Sequence, residues 1–237
     1  MKRQVLLLAA APAFLIAFAL SAPFGVHAET PVKVPPPATD AATPGPGMET
    51  AVLAGGCFWG MQAVYQHVKG VTNAVSGYAG GAQKDAEYET VSTGTTGHAE
   101  SVKVTFDPKQ ISYGTILQIY FSVAHNPTEL NYQGPDHGTQ YRSEIFPQSD
   151  AQRAAAKAYI AQLNKAHAFD RPVVTKVDAT TAAFFPAENY HQDYATLHPS
   201  QPYIMFNDAP KVVNLKTMFP DLWREKPVLV REATKTN

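Results

Sequence analysis

Residues 50–68, TAVLAGGCFWGMQAVYQHV, decide the fold, since they combine an apolar run, a glycine pair and an amphipathic stretch. The apolar run predicts a buried strand over 50–54, and the apolar spacing after the glycines predicts a helix over 58–68. Cys57 lies at the turn between them. A thiol there is close to free backbone N–H groups and the positive end of the helix dipole, which predicts a lowered pKa. We therefore interpret Cys57 as a reactive thiol; an inert buried cysteine is the alternative.

A second strand is predicted over 99–107, where apolar and polar side chains alternate. Glu100 falls on the same face as Val102, Val104 and Phe106. An ionised carboxylate on an apolar face is costly, so burial would raise the pKa of Glu100 and favour the protonated acid. Two alternatives stay open at this point: Glu100 turns out to solvent, or it meets an arginine.

The other segments alternate between helical and strand patterns. Strands are predicted within 71–81 and over 141–146 and 173–178, and helices over 112–124 (with Ser112 as N-cap), 150–166 and 210–223. This order contains a β-α-β-β-α-β arrangement. It predicts an α+β fold, a two-layer α/β sandwich of ferredoxin-like type with a mixed sheet and additional loops.

The N-terminal part of the chain predicts export. Residues 1–28 have the pattern of a signal peptide, with two basic residues, an apolar run and a small-residue cleavage site ending at Ala28. A retained membrane anchor is the alternative. Residues 29–48 are rich in proline and predict a flexible tether. Residues 49–237 predict one folded domain with a C-terminal helical extension, placed in the periplasm or outside the cell.

Charge and cysteine content exclude several classes of protein. The 237 residues include 19 basic and 20 acidic ones, and loss of Lys2 and Arg3 with the signal peptide would leave 17 against 20. Such a balance gives no reason to bind nucleic acid or anionic lipid. Exported proteins commonly pair their cysteines, but Cys57 is the only cysteine of the chain and has no partner. An unpaired thiol in an exported protein supports the reactive interpretation.

Seven motifs occur in the order typical of one enzyme family. They are GGCFWG at 55–60, SGYAGG at 76–81, YETV at 88–91, TGHAE at 96–100, HNPT at 125–128, QGPDHGTQYRS at 133–143 and AENYHQDY at 187–194. On these motifs the chain resembles the peptide methionine sulfoxide reductases of the A class (MsrA), in a single-cysteine exported form. The resemblance covers residues 51 to about 206 and identifies 49–237 as the catalytic domain.

The resemblance implies a catalytic role for five residues. Cys57 would attack the sulfoxide sulfur, become a sulfenic acid and release methionine. Glu100 would protonate the departing oxygen or hydrogen-bond to it. Tyr88 and Tyr141 would hold the same oxygen through their hydroxyls, and Asp136 would orient the site less directly.

The aromatic residues after the cysteine complete the implied site. Phe58 and Trp59 would bind substrate by packing against the methyl group on the sulfoxide sulfur. Without the resemblance, Trp59, Tyr88 and Tyr141 would be interpreted as packing residues, and Asp136 as a turn residue after Gly-Pro. The histidines show neither a HExxH motif nor cysteine pairs, so no metal and no bound cofactor are predicted.

Departures from the family pattern concern regeneration. Many relatives resolve the sulfenic acid with a second cysteine near the C-terminus, which this chain lacks; Tyr132 and Asn126 also stand where arginine and aspartate are common. An external thiol reductant is therefore implied, either a periplasmic thioredoxin-like carrier or a small thiol.

The predicted function is reduction of methionine S-sulfoxide, protein-bound or free, by a monomer without stable membrane insertion. The epimer follows wholly from the resemblance. A thiol peroxidase and a non-catalytic module that binds methionine or its sulfoxide are the rival hypotheses.

Overall fold

The computed structural model describes residues 31–41, 47–178 and 182–230, so the predicted signal peptide lies outside the described residues. The strands are β1 (Glu49–Gly55), β2 (Val71–Ala79), β3 (Ala99–Phe106), β4 (Tyr132–Gln133), β5 (Asp136–His137), β6 (Ser143–Phe146), β7 (Lys176–Val177) and β8 (Phe184–Pro186). The α-helices are α1 (Phe58–Gln66), α2 (Tyr88–Val91), α3 (Tyr113–Ile119), α4 (Asp150–Lys165), α5 (Tyr194–Leu197) and α6 (Ala209–Met218). Within these ranges no helix has both the length and the apolar character needed to cross a membrane.

Six strands form one mixed sheet in the order β7-β6-β1-β3-β2-β8, and β4 pairs with β5 in a separate hairpin. Among the strands of the described residues, only β6 and β7 pair in parallel, and the other neighbours in this sheet are antiparallel. The predicted α+β fold with a mixed sheet is confirmed. Ala54 of β1 lies opposite Ser101 of β3, so Glu100 stands where β1 ends and the chain turns toward Cys57.

The main core lies between the sheet and the helices. Ala51 and Leu53 of β1 face this core together with buried side chains of α1, α3, α4 and α6. Val52 and Ala54 face the opposite side, where Phe146 and a smaller apolar cluster cover the sheet. Because β1 is buried on both faces, its sequence is a continuous apolar run and not an alternating one.

Several predicted elements end elsewhere than expected. The helix predicted over 112–124 is α3 followed by a π-helical turn over Tyr120–Ala124, and its predicted cap is confirmed because Ser112 accepts a hydrogen bond from the Thr115 N–H at 3.2 Å. The helix predicted over 210–223 stops at Met218. The residue after Met218 is Phe219, which precedes Pro220, and a residue before proline avoids helical geometry.

The predicted tether is ordered where the structure describes it. Val34 is 2 % exposed, and its N–H donates to the Ser122 hydroxyl at 3.2 Å. The Tyr159 hydroxyl on α4 donates to the backbone carbonyl of Pro35, in the predicted tether, at 2.6 Å. Flexibility across 29–48 is therefore wrong for residues 31–41, since a proline-rich segment can still be held through its carbonyls and one buried valine.

Candidate active site

Cys57 is the N-cap residue of α1 and follows the turn that ends β1. Gly56 makes this turn with a φ of +86°, a conformation that residues with a Cβ rarely adopt. A Cβ at Gly56 would also lie 2.6 Å from the Gln133 side chain. The glycine therefore determines where the thiol is placed.

The Cys57 thiol is buried, with 8 % of the residue exposed. The pKa of the thiol is raised well above its ordinary value, mainly by burial and then by the charges of Asp208 and Glu100. A hydrogen bond from the Trp59 N–H lowers this pKa, and the charge of Asp136 raises it further. The predicted lowered pKa is wrong for the free protein. Removal from water and three carboxylates outweigh the one backbone N–H that favours the thiolate.

Glu100 is 3 % exposed, and its Oε2 accepts a hydrogen bond from the Phe58 N–H at 3.1 Å. Burial is the main cause that raises its pKa to about 8, while the Phe58 N–H lowers it. The predicted buried acid is confirmed. Neither open alternative holds, because Glu100 does not face solvent and Arg142 pairs with Glu144.

Two tyrosines reach the same cluster from separate segments. Tyr88 begins α2, and Tyr141 ends a 3-10 turn before β6. The pKa of each hydroxyl is raised, first by burial and next by Glu100, with a smaller effect from Cys57. Both hydroxyls therefore stay protonated at neutral pH and can donate a hydrogen bond to an oxygen.

Asp136 begins β5 and is half-buried, and it accepts a hydrogen bond from the Tyr203 hydroxyl. Burial is the main cause that raises its pKa, while Tyr203 and Lys211 lower it. The Tyr203 ring also meets Trp59 edge-on, with ring centroids 6.0 Å apart. Asp136 thus reaches the site together with a tyrosine that no sequence motif indicated.

The two aromatic residues after Cys57 differ in their surroundings. Phe58 is 1 % exposed and lies in the core, with its ring centroid 5.9 Å from that of Tyr78. Trp59 is half-buried and stacks on Tyr194 at 4.0 Å. Its indole N–H donates to Nδ1 of His191 at 3.2 Å. Phe58 therefore forms an inner wall, and Trp59 forms the more open one.

Residues 187–194, one of the motifs without an assigned role, form hydrogen bonds with aromatic residues around Cys57. Glu188 accepts hydrogen bonds from the Tyr78 hydroxyl and the Tyr88 N–H, both at 2.9 Å. Burial lowers the pKa of His191, so its ring is neutral at pH 7 and can accept the Trp59 hydrogen bond. The segment thereby positions Tyr88 and Trp59.

The buried histidines near the sheet serve backbone and hydroxyl groups. His98 accepts from the Gly81 N–H at 3.2 Å, and the His125 ring nitrogens lie 3.0 Å from the Tyr120 carbonyl and 2.8 Å from the Ser143 hydroxyl. Burial lowers the pKa of His125 to about 3. In the described part of the chain, no three His, Cys, Asp or Glu side chains are grouped so that they could hold a metal ion.

Asp208 is, with Tyr203, a residue of the site that sequence reasoning missed. It is 1 % exposed, and its carboxylate lies against α1 so closely that a Cβ at Gly60 would overlap it. Among the carboxylates it has the largest effect on Cys57. An aspartate just before Ala-Pro at a helix start is typical of an ordinary N-cap, and this concealed its position.

Replacing Asp208 by Asn is expected to lower the pKa of Cys57, since a neighbouring negative charge disfavours the thiolate. The rate of iodoacetamide alkylation against pH measures the midpoint. Asp221→Asn, which removes an exposed carboxylate on a 3-10 turn, is the matched control. An equal midpoint in wild type and Asp208→Asn would contradict the effect of the Asp208 charge on the thiol.

Comparison with known proteins decides the family. A sequence model described as "Peptide methionine sulfoxide reductase" matches residues 49–222. A relative in Mesorhizobium japonicum, named peptide methionine sulfoxide reductase MsrA 2, is 63 % identical over 189 residues, which cover 80 % of this chain and 96 % of the relative. The chain belongs to the MsrA family.

Solved MsrA structures share the fold. The reduced form of Mxr1 from Saccharomyces cerevisiae aligns with a TM-score of 0.58 and 32 % identity, covering 65 % of this chain and 87 % of that one. Methionine sulfoxide reductase A of Corynebacterium diphtheriae aligns with a TM-score of 0.54 and 32 % identity, covering 66 % and 77 %. The sheet and helices that surround Cys57 are thus an MsrA scaffold.

Asn126 and Tyr132, which the resemblance sets apart from the family pattern, both lie in the loop region around the β4–β5 hairpin. Asn126 accepts hydrogen bonds from the Thr128 N–H and hydroxyl at 3.0 and 2.8 Å. Tyr132 stacks on His137, with ring centroids 5.4 Å apart. Both residues therefore stabilise the local loop structure next to Asp136.

Proposed function

We propose that this chain catalyses the thiol-dependent reduction of methionine S-sulfoxide to methionine, both in oxidised proteins and as the free amino acid. The supporting observation is the hydrogen bond from the Phe58 N–H to Glu100, which ties a buried acid to the residue that follows Cys57. The substrate sulfur can then meet the thiol while its oxygen meets the acid.

In the first step the sulfoxide oxygen passes to the Cys57 sulfur. The oxygen–sulfur bond of the substrate breaks, methionine leaves, and the thiol becomes a sulfenic acid. Glu100, with a pKa of about 8, is mostly protonated at neutral pH and donates its proton to the oxygen. It regains a proton from the attacking thiol, so the step needs no other acid or base.

The surrounding side chains hold the substrate for this transfer. Tyr88 and Tyr141 donate hydrogen bonds to the oxygen while charge develops on it. Phe58 and Trp59 enclose the methyl group of the sulfoxide. Asp136, hydrogen-bonded to a tyrosine of the C-terminal segment, orients the substrate next to Cys57.

Regeneration requires a thiol from outside the chain. The sequence has one cysteine, so the Cys57 sulfenic acid cannot form an internal disulfide. A thioredoxin-like carrier or a small thiol forms a mixed disulfide with Cys57, and a second thiol then frees the enzyme. Neither step calls for a metal or a bound cofactor.

We further propose that the enzyme is exported and cleaved near Ala28, and that it acts as a monomer in the periplasm or outside the cell. The proposal rests on the composition of residues 1–28.

The fold is proposed to be of ferredoxin-like type. The order β6-β1-β3-β2 of the four central strands, with α1 and α3 as the connecting helices, supports this.

A single turnover without added thiol tests the reaction. Reduced enzyme mixed with excess S-sulfoxide is expected to release about one equivalent of methionine and to gain one oxygen on Cys57. The R epimer and the Cys57→Ser variant are the controls and should release none. No methionine from either epimer would contradict the proposal; rapid peroxide consumption would then favour a thiol peroxidase, and sulfoxide binding alone a binding module.

A further inference from the structure

A cavity of about 430 Å³ opens beside Cys57, which lines it together with Asp136 and Tyr203. Glu100, Tyr88 and Tyr141 do not line it, although all three belong to the described part of the chain. The Cys57 sulfur therefore borders two environments. One holds the groups assigned to the sulfoxide oxygen, and the other is this cavity, where Asp136 lies between the substrate and the cavity.

Reduction of the Cys57 sulfenic acid by a thiol requires the attacking thiol to approach from a particular side. A thiol that reduces a sulfenic acid displaces the oxygen from sulfur, and such a displacement proceeds in line, with the attacking sulfur opposite the departing oxygen. The oxygen lies toward Glu100, which can protonate it as it leaves. The attacking thiol must therefore approach Cys57 from another side, and the cavity provides such an approach.

We propose that this cavity binds the reducing thiol, and that it takes a small peptide thiol with free carboxylates. The inference rests on the function proposed above and adds the site and chemical class of the reductant. Cys57 is 8 % exposed and lines the cavity, so a small thiol inside the cavity can touch it.

The charged lining fits a peptide thiol with two carboxylates. Lys211 is 9 % exposed, and its charge acts on both Asp136 and His125, which places it at the inner part of the cavity. Arg171 lies at the exposed rim, where it donates to the Thr128 hydroxyl at 3.0 Å. One carboxylate can pair with each cation.

The remaining polar lining fits the other groups of such a molecule. Asp170, exposed beside Arg171, can receive an ammonium group. Asn126, Asn207 and Asn214 also line the cavity, and side-chain amides suit the N–H and C=O groups of a peptide. The volume lies within the range of ordinary ligand sites. A γ-glutamyl tripeptide thiol such as glutathione has all of these groups.

The proposed step is balanced by the thiol alone. The first thiol forms a sulfur–sulfur bond with Cys57, and its proton leaves with the sulfenic oxygen as water. A second thiol molecule attacks the mixed disulfide, so that Cys57 returns to the thiol and the two small thiols leave as their disulfide. The small thiol is oxidised and the Cys57 sulfur is reduced.

The test separates the thiol step from sulfoxide reduction. The sulfenic acid is first formed with free methionine S-sulfoxide, and methionine release is measured. Glutathione or neutral 2-mercaptoethanol is then added, and loss of sulfenic acid is followed by mass spectrometry. The rate should saturate with glutathione but rise linearly with 2-mercaptoethanol. Arg171→Gln should lower the glutathione rate at low concentration about tenfold and leave the 2-mercaptoethanol rate unchanged.

Two controls keep the outcome decisive. Lys157→Gln removes an exposed cation of α4 outside the cavity and should alter neither rate. S-methylglutathione, which has no thiol, should slow the 2-mercaptoethanol reaction of wild type and do so less in Arg171→Gln. A linear glutathione dependence unaffected by Arg171→Gln, or fast reduction by a thioredoxin-like dithiol protein alone, would overturn the inference. Absence of methionine release would instead overturn the proposed function.

Discussion

Replacing Glu100 by Gln is expected to slow single-turnover methionine release by about two to four orders of magnitude, the usual contribution of a positioned general acid. Gln keeps the shape of the side chain but has no acidic proton to transfer to the sulfoxide oxygen. Release of methionine is measured after rapid mixing with the S-sulfoxide. Glu144→Gln, at a carboxylate paired with Arg142, is the matched control. A near-normal rate in Glu100→Gln would remove Glu100 from the acid role.

The same assignment predicts the pH dependence of the wild type. The pKa of Glu100 is raised to about 8, so the acid is protonated below that pH and loses its proton above it. Methionine release should therefore fall as pH rises through about 8. In the proposed step Glu100 takes up the thiol proton as it gives its own proton to the oxygen, so the reactive form contains both the thiol and the protonated acid, and it is lost as Glu100 ionises. The Glu100→Gln variant should lack the falling limb.

Stability separates lost chemistry from lost folding. The ordinary pKa of a glutamate is 4.5, and folding raises that of Glu100 to about 8. Between these values the folded protein binds more protons than the unfolded chain, so Glu100 makes the fold progressively less stable as pH rises through this window. Glu100→Gln has no charge to bury. It should melt above wild type at about pH 8 and close to it at about pH 4; a lower melting temperature at the higher pH would contradict the buried-acid assignment.

The central part of the fold was predictable because its signals are local. The apolar run of β1 and the alternation of β3 each determine a strand, and the cap at Ser112 determines a helix start. The short β8, Phe184–Pro186, and the packing of residues 31–41 were not predicted. Both depend on partners far away in sequence, since β8 is held by β2 and Val34 by Ser122.

The residues of the site also fall into those that local sequence indicates and those that only the tertiary structure places. Cys57, Phe58 and Glu100 could be found from their own strands and helix. Tyr203 and Asp208 could not, because their local sequence resembles an ordinary helix start and only the tertiary structure brings them to α1. The direction of the Cys57 pKa was wrong for this reason. A helix N-terminus is visible in a sequence, whereas burial and distant carboxylates are not.

The contact between Asp208 and α1 predicts that Gly60→Ala changes the free energy of unfolding in opposite directions with and without the Asp208 side chain. Gly60 lies in the first turn of α1, where alanine would ordinarily stabilise the helix by about 1 kcal/mol. Its Cβ would overlap the Asp208 carboxylate. Gly60→Ala is therefore expected to lower the free energy of unfolding by about 1–3 kcal/mol in wild type, as overpacking does. In an Asp208→Gly background, which also removes the Asp208 Cβ 3.2 Å from the new methyl group, the same change should raise it by up to about 1 kcal/mol.

Urea unfolding of the four proteins gives this cycle directly, and the coupling between the two positions is the difference between the two effects of Gly60→Ala. An effect of the same sign in both backgrounds would contradict close contact between Gly60 and Asp208. The methionine release rate of Gly60→Ala should fall with its stability, because any shift of α1 moves Cys57 at its N-terminus. A reversal of sign would show that the final glycine of GGCFWG makes room for the C-terminal segment. That segment has no resolving cysteine, yet through Asp208 it would still form part of the Cys57 site.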